Sequence, residues 1–270
     1  MRLRIIYGSL AMAILIAMPI IGPLAQVVGG GFCIMLCAYE LATALRQHDH
    51  SKPSLILAYL YIVISLASYY FVGLFGIIFT FAIFIMISLC RPIALENIHH
   101  SDVEASLFLL IYPCSLGLFF AMTGFLPGAL APLAILAIGI YASMVDILAF
   151  TVGMLFGKHK LIERISPKKT VEGAVGGFFG GLITAFLFYY AIQPIIGSNV
   201  MLTDFIIIGA MCGVAAQLGD LTASAIKRSM EIKDFSNLLP GHGGLLDRFD
   251  SMLFCAPIVF SYFYLIARIG

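Results

Sequence analysis

Long apolar runs, each broken by a short polar or glycine-bearing stretch, organise this chain from end to end. Runs of roughly twenty residues can cross the hydrocarbon core of a bilayer as helices. About nine occur here: 5–24, 26–45, 54–72, 73–90, 105–125, 129–156, 172–192, 203–227 and 251–268. The pattern predicts an all-α, polytopic integral membrane protein. The first run follows Met-Arg-Leu-Arg, as the apolar stretch of a signal peptide would. It lacks a convincing small-residue cleavage site and a second apolar run follows at once, so it is expected to be a span.

The breaks between runs are of two kinds, and they alternate. One set is short and uncharged: GPLAQ at 22–26, FVGLFG at 71–76 and GFLPGAL at 124–130. The other is longer and polar: RQHDHSK at 46–52, RPIALENIHHSD at 91–102, GKHKLIERISPKKTVEG at 157–173, and the stretch leading into the last run. With nine spans and a cytoplasmic N-terminus, 14 of the 15 Lys and Arg fall on the inner side and only Arg268 falls outside. That asymmetry is what the positive-inside rule requires. All six His and every acid except Asp204 also lie inside or within spans. One face is thus crowded with chemistry and the other nearly bare, which suits an enzyme fed from the cytoplasm better than a transporter. A single membrane-embedded domain over 1–270 is expected, with 1–104 as scaffold spans and 105–270 as the catalytic half. No persuasive internal repeat supports an inverted-repeat transporter.

Composition sharpens this picture. Hydrophobic residues make up 61% of the chain and charged residues 11%, against about a quarter charged in a soluble domain. A mean hydropathy of +1.06 excludes that class. The six Cys lie within or at the ends of apolar runs. Cys33 and Cys37 are four apart, yet no second pair stands at a ligand spacing nearby, so they read as small buried hydrophobes.

Because charges are scarce, their placement is informative. Asp220 lies deep in AMCGVAAQLGDLTASAIKR, where a carboxylate is costly without a wet cavity, a cation or a partner. Helical spacing puts Ser224 one turn on and Lys227 and Arg228 two turns on, as a polar stripe. The alternative is a structural Asp satisfied by Gln217 or a neighbouring helix. Asp146 sits mid-run and could hold a metal, pair with a base or brace the bundle. Glu40, ahead of Arg46, reads equally well as an interfacial charge. Asp247 and Asp250 stand three apart around Arg248, and a helix starting just after GHGG would hold both in its first turn. Such hard oxygen ligands suit Mg²⁺, which takes one or two carboxylates and fills its shell with water and phosphate. Asp220 and Asp247 form the preferred metal pair, with Asp250 in reserve. Pro240 to Gly244 is a turn able to bring N–H groups to an anion, although no Walker A sequence follows. His242 within it could donate to phosphate or move a proton. Lys168 and Lys169 could bind anionic head groups or a triphosphate, or serve as membrane-rim anchors.

The stretch from Ser224 to Asp250 resembles the signature of the phosphatidate cytidylyltransferases, or CDP-diacylglycerol synthases. Its fixed positions are met by Ser224, Lys227, Arg228, Lys233, Asp234, Pro240, His242, Gly243, Gly244, Asp247, Arg248 and Asp250. SPKKTVEG and the Gly219-Asp220 pair are also similar to family features, so the likeness covers roughly 140–265, and the N-terminal half matches in hydropathy alone. The resemblance implies a Mg²⁺-dependent nucleotidyltransferase of phospholipid biosynthesis. CTP and phosphatidate would give CDP-diacylglycerol and pyrophosphate, while the charge asymmetry places the reaction at the cytoplasmic face and the compact size suggests a bacterial inner membrane. The resemblance further implies that Asp220 and Asp247 serve the metal, with Asp250 and Asp146 as lesser candidates. Lys227, Arg228, Lys233, Arg248 and His242 would hold phosphates, helped by Lys168 and Lys169, within a substrate-binding set that also includes Ser224, Asp234, Gly243 and Gly244. CTP, phosphatidate and membrane lipids are the expected partners, a homodimer is left open, and no nucleic acid is expected. An alcohol phosphatidyltransferase would need D-x2-D-G-x2-A-R, which is absent. A transporter using Asp146 and Asp220 would need access from both faces, which the bare outer connections disfavour.

Overall fold

The computed structural model describes residues 17–196, 200–238 and 243–269. Among them, eight helical spans are long and apolar enough to cross a membrane. They are α1 (Pro23–His48), α2 (Leu55–Val72), α3 (Leu74–Ala94), a compound span, α6 (Leu130–Phe156), α7 (Val171–Ile196), α8 (Leu202–Ser229) and α9 (Leu246–Ile269). The compound span joins α4 (His100–Leu109), a π-helical turn (Leu110–Ser115), α5 (Leu116–Met122) and a 3₁₀ turn (Thr123–Phe125). These eight answer to the expected runs from 26–45 onwards. The run expected at 5–24 lies mostly outside the described residues. The protein is a multi-pass membrane protein, and among the described residues its regular elements are helices apart from one small hairpin.

Local chemistry sets the ends. Pro23 opens α1, where its missing N–H would have had no helical partner. Ser54 caps α2 by accepting from the Leu57 N–H at 3.4 Å. Gly73 alone turns α2 into α3, at a φ of 76° that favours glycine. Two helices start earlier than the apolar runs suggested, because polar residues are recruited into their first turns. The span expected at 105 begins at His100, where Asp102 accepts from the backbone N–H groups of His99 and Lys52. The span expected at 251 begins at Leu246, so Asp247 and Arg248 lie on its first turn, while Asp250, expected there as well, falls at the start of the second. The π-helical turn contains Pro113, which has no N–H to give to the ladder. There the Ser115 hydroxyl donates to the Leu110 carbonyl at 2.6 Å.

The polar segment after α6 folds into an antiparallel hairpin, β1 (Lys160–Ile162) and β2 (Ser166–Thr170), with Lys160 opposite Thr170 and Ile162 opposite Ser166. Strands this short carry too few alternations to read from sequence. The Val171 N–H donates to the His159 carbonyl at 2.9 Å, which ties the hairpin to the start of α7.

Packing is densest among α6, α7, α8 and α9. In lipid, helices associate by close contact of small residues, since apolar side chains gain little by leaving an apolar solvent. Gly181 of α7 and Gly209 of α8 face each other, and a Cβ on either would collide with the other's carbonyl oxygen. Gly139 of α6 faces open space. Gly181→Val should therefore lower the apparent unfolding temperature in detergent, at an overpacking cost of about 1–3 kcal/mol. Gly139→Ala should leave it level or slightly raised, since Ala is the better helix former. A fluorescence-monitored melt of the two variants beside wild type checks this.

Candidate active site

Four elements converge at the end of the C-terminal bundle that bears the basic connections. From α8 comes Asp220, with Ser224 one turn further on. From the first two turns of α9 come Asp247, Arg248 and Asp250. α6 contributes Asp146, and β2 contributes Lys168 and Lys169. All of these except Ser224 line one cavity of about 430 Å³. Gly219 makes the approach of α8 to α9 possible, because a Cβ there would strike the Asp250 carbonyl oxygen. The two acid-bearing helices therefore meet backbone to backbone beside Asp220.

Asp220 is held by a cation and a hydroxyl. Lys169 Nζ lies 2.6 Å from its Oδ2, with both side chains between a quarter and a third exposed. Ser224 Oγ stands 3.5 Å from Oδ1, at the limit of a hydrogen bond. Gln217 takes no part, since its Nε2 donates to the carbonyls of Ala174 at 3.0 Å and Gly213 at 2.7 Å. Asp220 therefore faces the cavity and a lysine, not a structural amide.

Asp247 is more deeply buried, with 4% of its side chain exposed. Lys227 Nζ contacts its Oδ1 at 2.6 Å, and Oδ2 accepts from the N–H groups of Phe235 at 3.0 Å and Gly244 at 2.9 Å. The Lys227 ammonium also sits 5.4 Å from the centre of the Phe235 ring, within cation–π range. Asp250 accepts from the Ser251 N–H at 2.7 Å, and the Ser251 hydroxyl donates to Asp146 Oδ2 at 3.2 Å. Ser251 so links two of the four acids, a role its sequence position did not suggest.

The remaining expected residues are placed as follows. Arg228 directs Nε to the Ile165 carbonyl in the hairpin turn, 3.4 Å away, and does not line the cavity. Lys233 and Asp234 are exposed on the loop after α8. Gly243 adopts a φ of 80°, and a Cβ there would press on Asp247 Oδ2 and on Asp234. Gly244 packs against Glu40 of α1, whose buried carboxylate accepts from Ser236, Leu245 and Leu246. The expectation for His242 lies outside the described residues, as do Pro240 and Gly241. Sequence reasoning missed the Glu40 contacts, and the one available signal was a lone acid inside an apolar run.

The arrangement can hold an anionic, metal-bound group. Four carboxylates and three cationic side chains line the cavity, and hard oxygen donors of this kind suit Mg²⁺. Among the described residues no three His, Cys, Asp or Glu close on one point. A site of that kind fits an ion that completes its shell with water and substrate oxygens. Phe150 and Met154 of α6, both exposed on the outside of the bundle, line the same cavity and give it an apolar wall.

Comparison with known proteins agrees with this geometry. A phosphatidate cytidylyltransferase of Bacillus subtilis is 48% identical over 117 residues, covering 43% of this chain and 41% of the relative. Proteins of the same name from Haemophilus influenzae and Thermotoga maritima are 43% identical over 116 residues and 38% over 119. Those two matches cover 43% and 44% of this chain, and 40% and 44% of the respective relatives. The chain thus spans less than half the length of the curated relatives it matches. The sequence model of the cytidylyltransferase family matches residues 2–266, nearly the whole chain, and the protein belongs to that family.

Proposed function

We propose that this protein is a phosphatidate cytidylyltransferase, which transfers CMP from CTP to phosphatidate to give CDP-diacylglycerol and pyrophosphate. The observation that carries this reading is a single cavity lined both by aspartates and lysines and by Phe150 and Met154, which are exposed on the outside of the bundle. A diacyl phosphate needs both kinds of lining, since its tails stay in lipid while its head group meets a water-soluble nucleotide. The relatives' names, which specify this activity for those proteins, support the same reading.

The reaction asks little covalent chemistry of the protein. A phosphate oxygen of the lipid attacks the α-phosphorus of CTP, and the bond from that phosphorus to the bridging oxygen of the β-phosphate breaks. Pyrophosphate carries the electron pair away. The nucleophile is already an anion, so no strong base is required, and catalysis rests on positioning and charge neutralisation. Lys168, Lys169 and Arg248 reach the cavity and would counter the phosphate charges, with Lys227 behind them against Asp247. Ser224 and Lys169 orient Asp220, and Ser251 ties Asp146 to the first turn of α9. Asp220 and Asp247, with Asp250 and Asp146 beside them, would hold Mg²⁺. When bound, the ion would supply positive charge between carboxylates and triphosphate oxygens that otherwise repel.

Purified protein in phosphatidate vesicles with labelled CTP should yield lipid-extractable label only when both Mg²⁺ and phosphatidate are present. Replacing phosphatidate with diacylglycerol, which lacks the attacking phosphate, should remove the product. Label that enters vesicles without joining lipid would instead indicate transport and reject the reading.

Asp220→Asn should lower turnover by about 10²-fold or more, on the scale of removing one preorganised charge from a water-poor site. Asp204→Asn should leave turnover within about twofold. Asp204 lies at the other end of α8, where it accepts from the Tyr262 hydroxyl at 3.3 Å, and exposed or remote substitutions rarely reach further. Steady-state rates of the two variants, with folding verified by size exclusion, check the contrast.

A further inference from the structure

We infer that Glu40, on α1 in the N-terminal half, is a positioning residue that clasps the stem of the 235–246 loop and so aims the acids of α9. The inference rests on the proposed function for its kinetic part and on geometry alone for its structural part.

Glu40 is 1% exposed and lies inside a span, yet its carboxylate is well satisfied. Oε1 accepts from the Ser236 hydroxyl at 2.6 Å and from the Leu245 N–H at 2.9 Å, and Oε2 accepts from the Leu246 N–H at 2.8 Å. These three described donors are neutral. Leu246 is the first residue of α9, so both backbone N–H groups belong to the helix start, where the ladder offers them no partner. The carboxylate therefore caps α9 from another helix, across 205 positions of sequence, where the partial positive charge of the helix end favours an anion.

A second carboxylate completes the clasp. Asp247 Oδ2 accepts from Phe235 and Gly244, while Glu40 accepts from Ser236, Leu245 and Leu246. Each acid thus spans both limbs of the stem, entering at 235–236 and leaving at 244–246. Asp247 does so from within the active-site turn and Glu40 from outside it. The backbone lies so close to Glu40 that a Cβ on Gly244 would sit 2.6 Å from Oε2 and 2.9 Å from Oε1. Space for the clasp thus accounts for a glycine whose backbone conformation does not demand one. Asp247, Arg248 and Asp250 follow within a turn of the clasped residues, so their aim depends on this contact.

A glutamine cannot replace the carboxylate, because its NH₂ would face a backbone N–H. An aspartate would fall one methylene short. In Glu40→Gln, hydrogen–deuterium exchange in peptides covering 236–246 should rise about tenfold or more, with exchange in α6, α7 and α8 unchanged. In the CTP assay kcat should fall about tenfold or more, while KM for phosphatidate stays within about threefold. Ser236→Ala removes one donor, leaves the acid in place, and should show both effects at roughly two- to fivefold. Unchanged exchange at 236–246 in Glu40→Gln overturns the inference. So does a faster-exchanging loop in an enzyme with unaltered kcat. If Glu40→Gln does not fold, Ser236→Ala decides, and wild-type exchange and kcat in it overturn the inference. Should wild type prove inactive with CTP, the proposed function fails, and the exchange data still judge the clasp.

Discussion

A carboxylate inside a helix bundle in lipid survives only where a cation, hydrogen-bond donors or water stand against it, and every feature of this site follows from that demand. Burial of an unpaired charge costs several kcal/mol even after relaxation, which is a large part of a protein's net stability. Asp220 meets the demand with Lys169, Asp247 with Lys227 and two backbone N–H groups, and Asp146 with Ser251. Glu40 meets it with a helix start and a serine. Because the partners lie at one end of the bundle, the acids are confined to that end, and the cavity forms between them. The same cations that make the acids tolerable are those a triphosphate would need. On the proposed function, a site that balances its own charges would exchange one partner for another on meeting a metal-bound nucleotide.

The glycines are the other half of the constraint. Gly219 admits the backbone of α9 against α8, and Gly181 with Gly209 lets α7 and α8 meet. Those approaches bring residues from α6, α8, α9 and β2 within reach of a cavity of about 430 Å³. Larger side chains at these points would separate the helices and with them the acids.

Much of this was legible in the chain because charge is rare in it. The hydropathy runs located the eight described spans, and the isolated Asp220 together with the Asp247–Asp250 pair marked the site. Helix starts were less legible. His100 begins a helix because Asp102 is drawn into its first turn, and hydropathy treats such residues as loop, whereas the start of α9 at Leu246 is the one that GHGG suggested. The hairpin that delivers Lys169 has strands of three and five residues, too short for a period to show. The contacts of Glu40 were signalled only by its being a lone acid in an apolar run. Two of its three described donors are backbone N–H groups about two hundred positions away, and a backbone donor has no sequence identity to recognise. The N-terminal spans therefore looked like scaffold, although one of their residues reaches the loop that leads into α9 and Asp247.

The central claim is that the carboxylates gathered around Asp220 receive a metal-bound nucleotide. Its most direct test is a structure determined in lipid nanodiscs with CTP and Mn²⁺, using the anomalous or density signal of the ion to locate it. The ion should lie against the Asp220 carboxylate inside this cavity, with the triphosphate beside Lys169 and Arg248. A nucleotide bound elsewhere, or an ion that leaves Asp220 paired with Lys169 and out of contact, would contradict it.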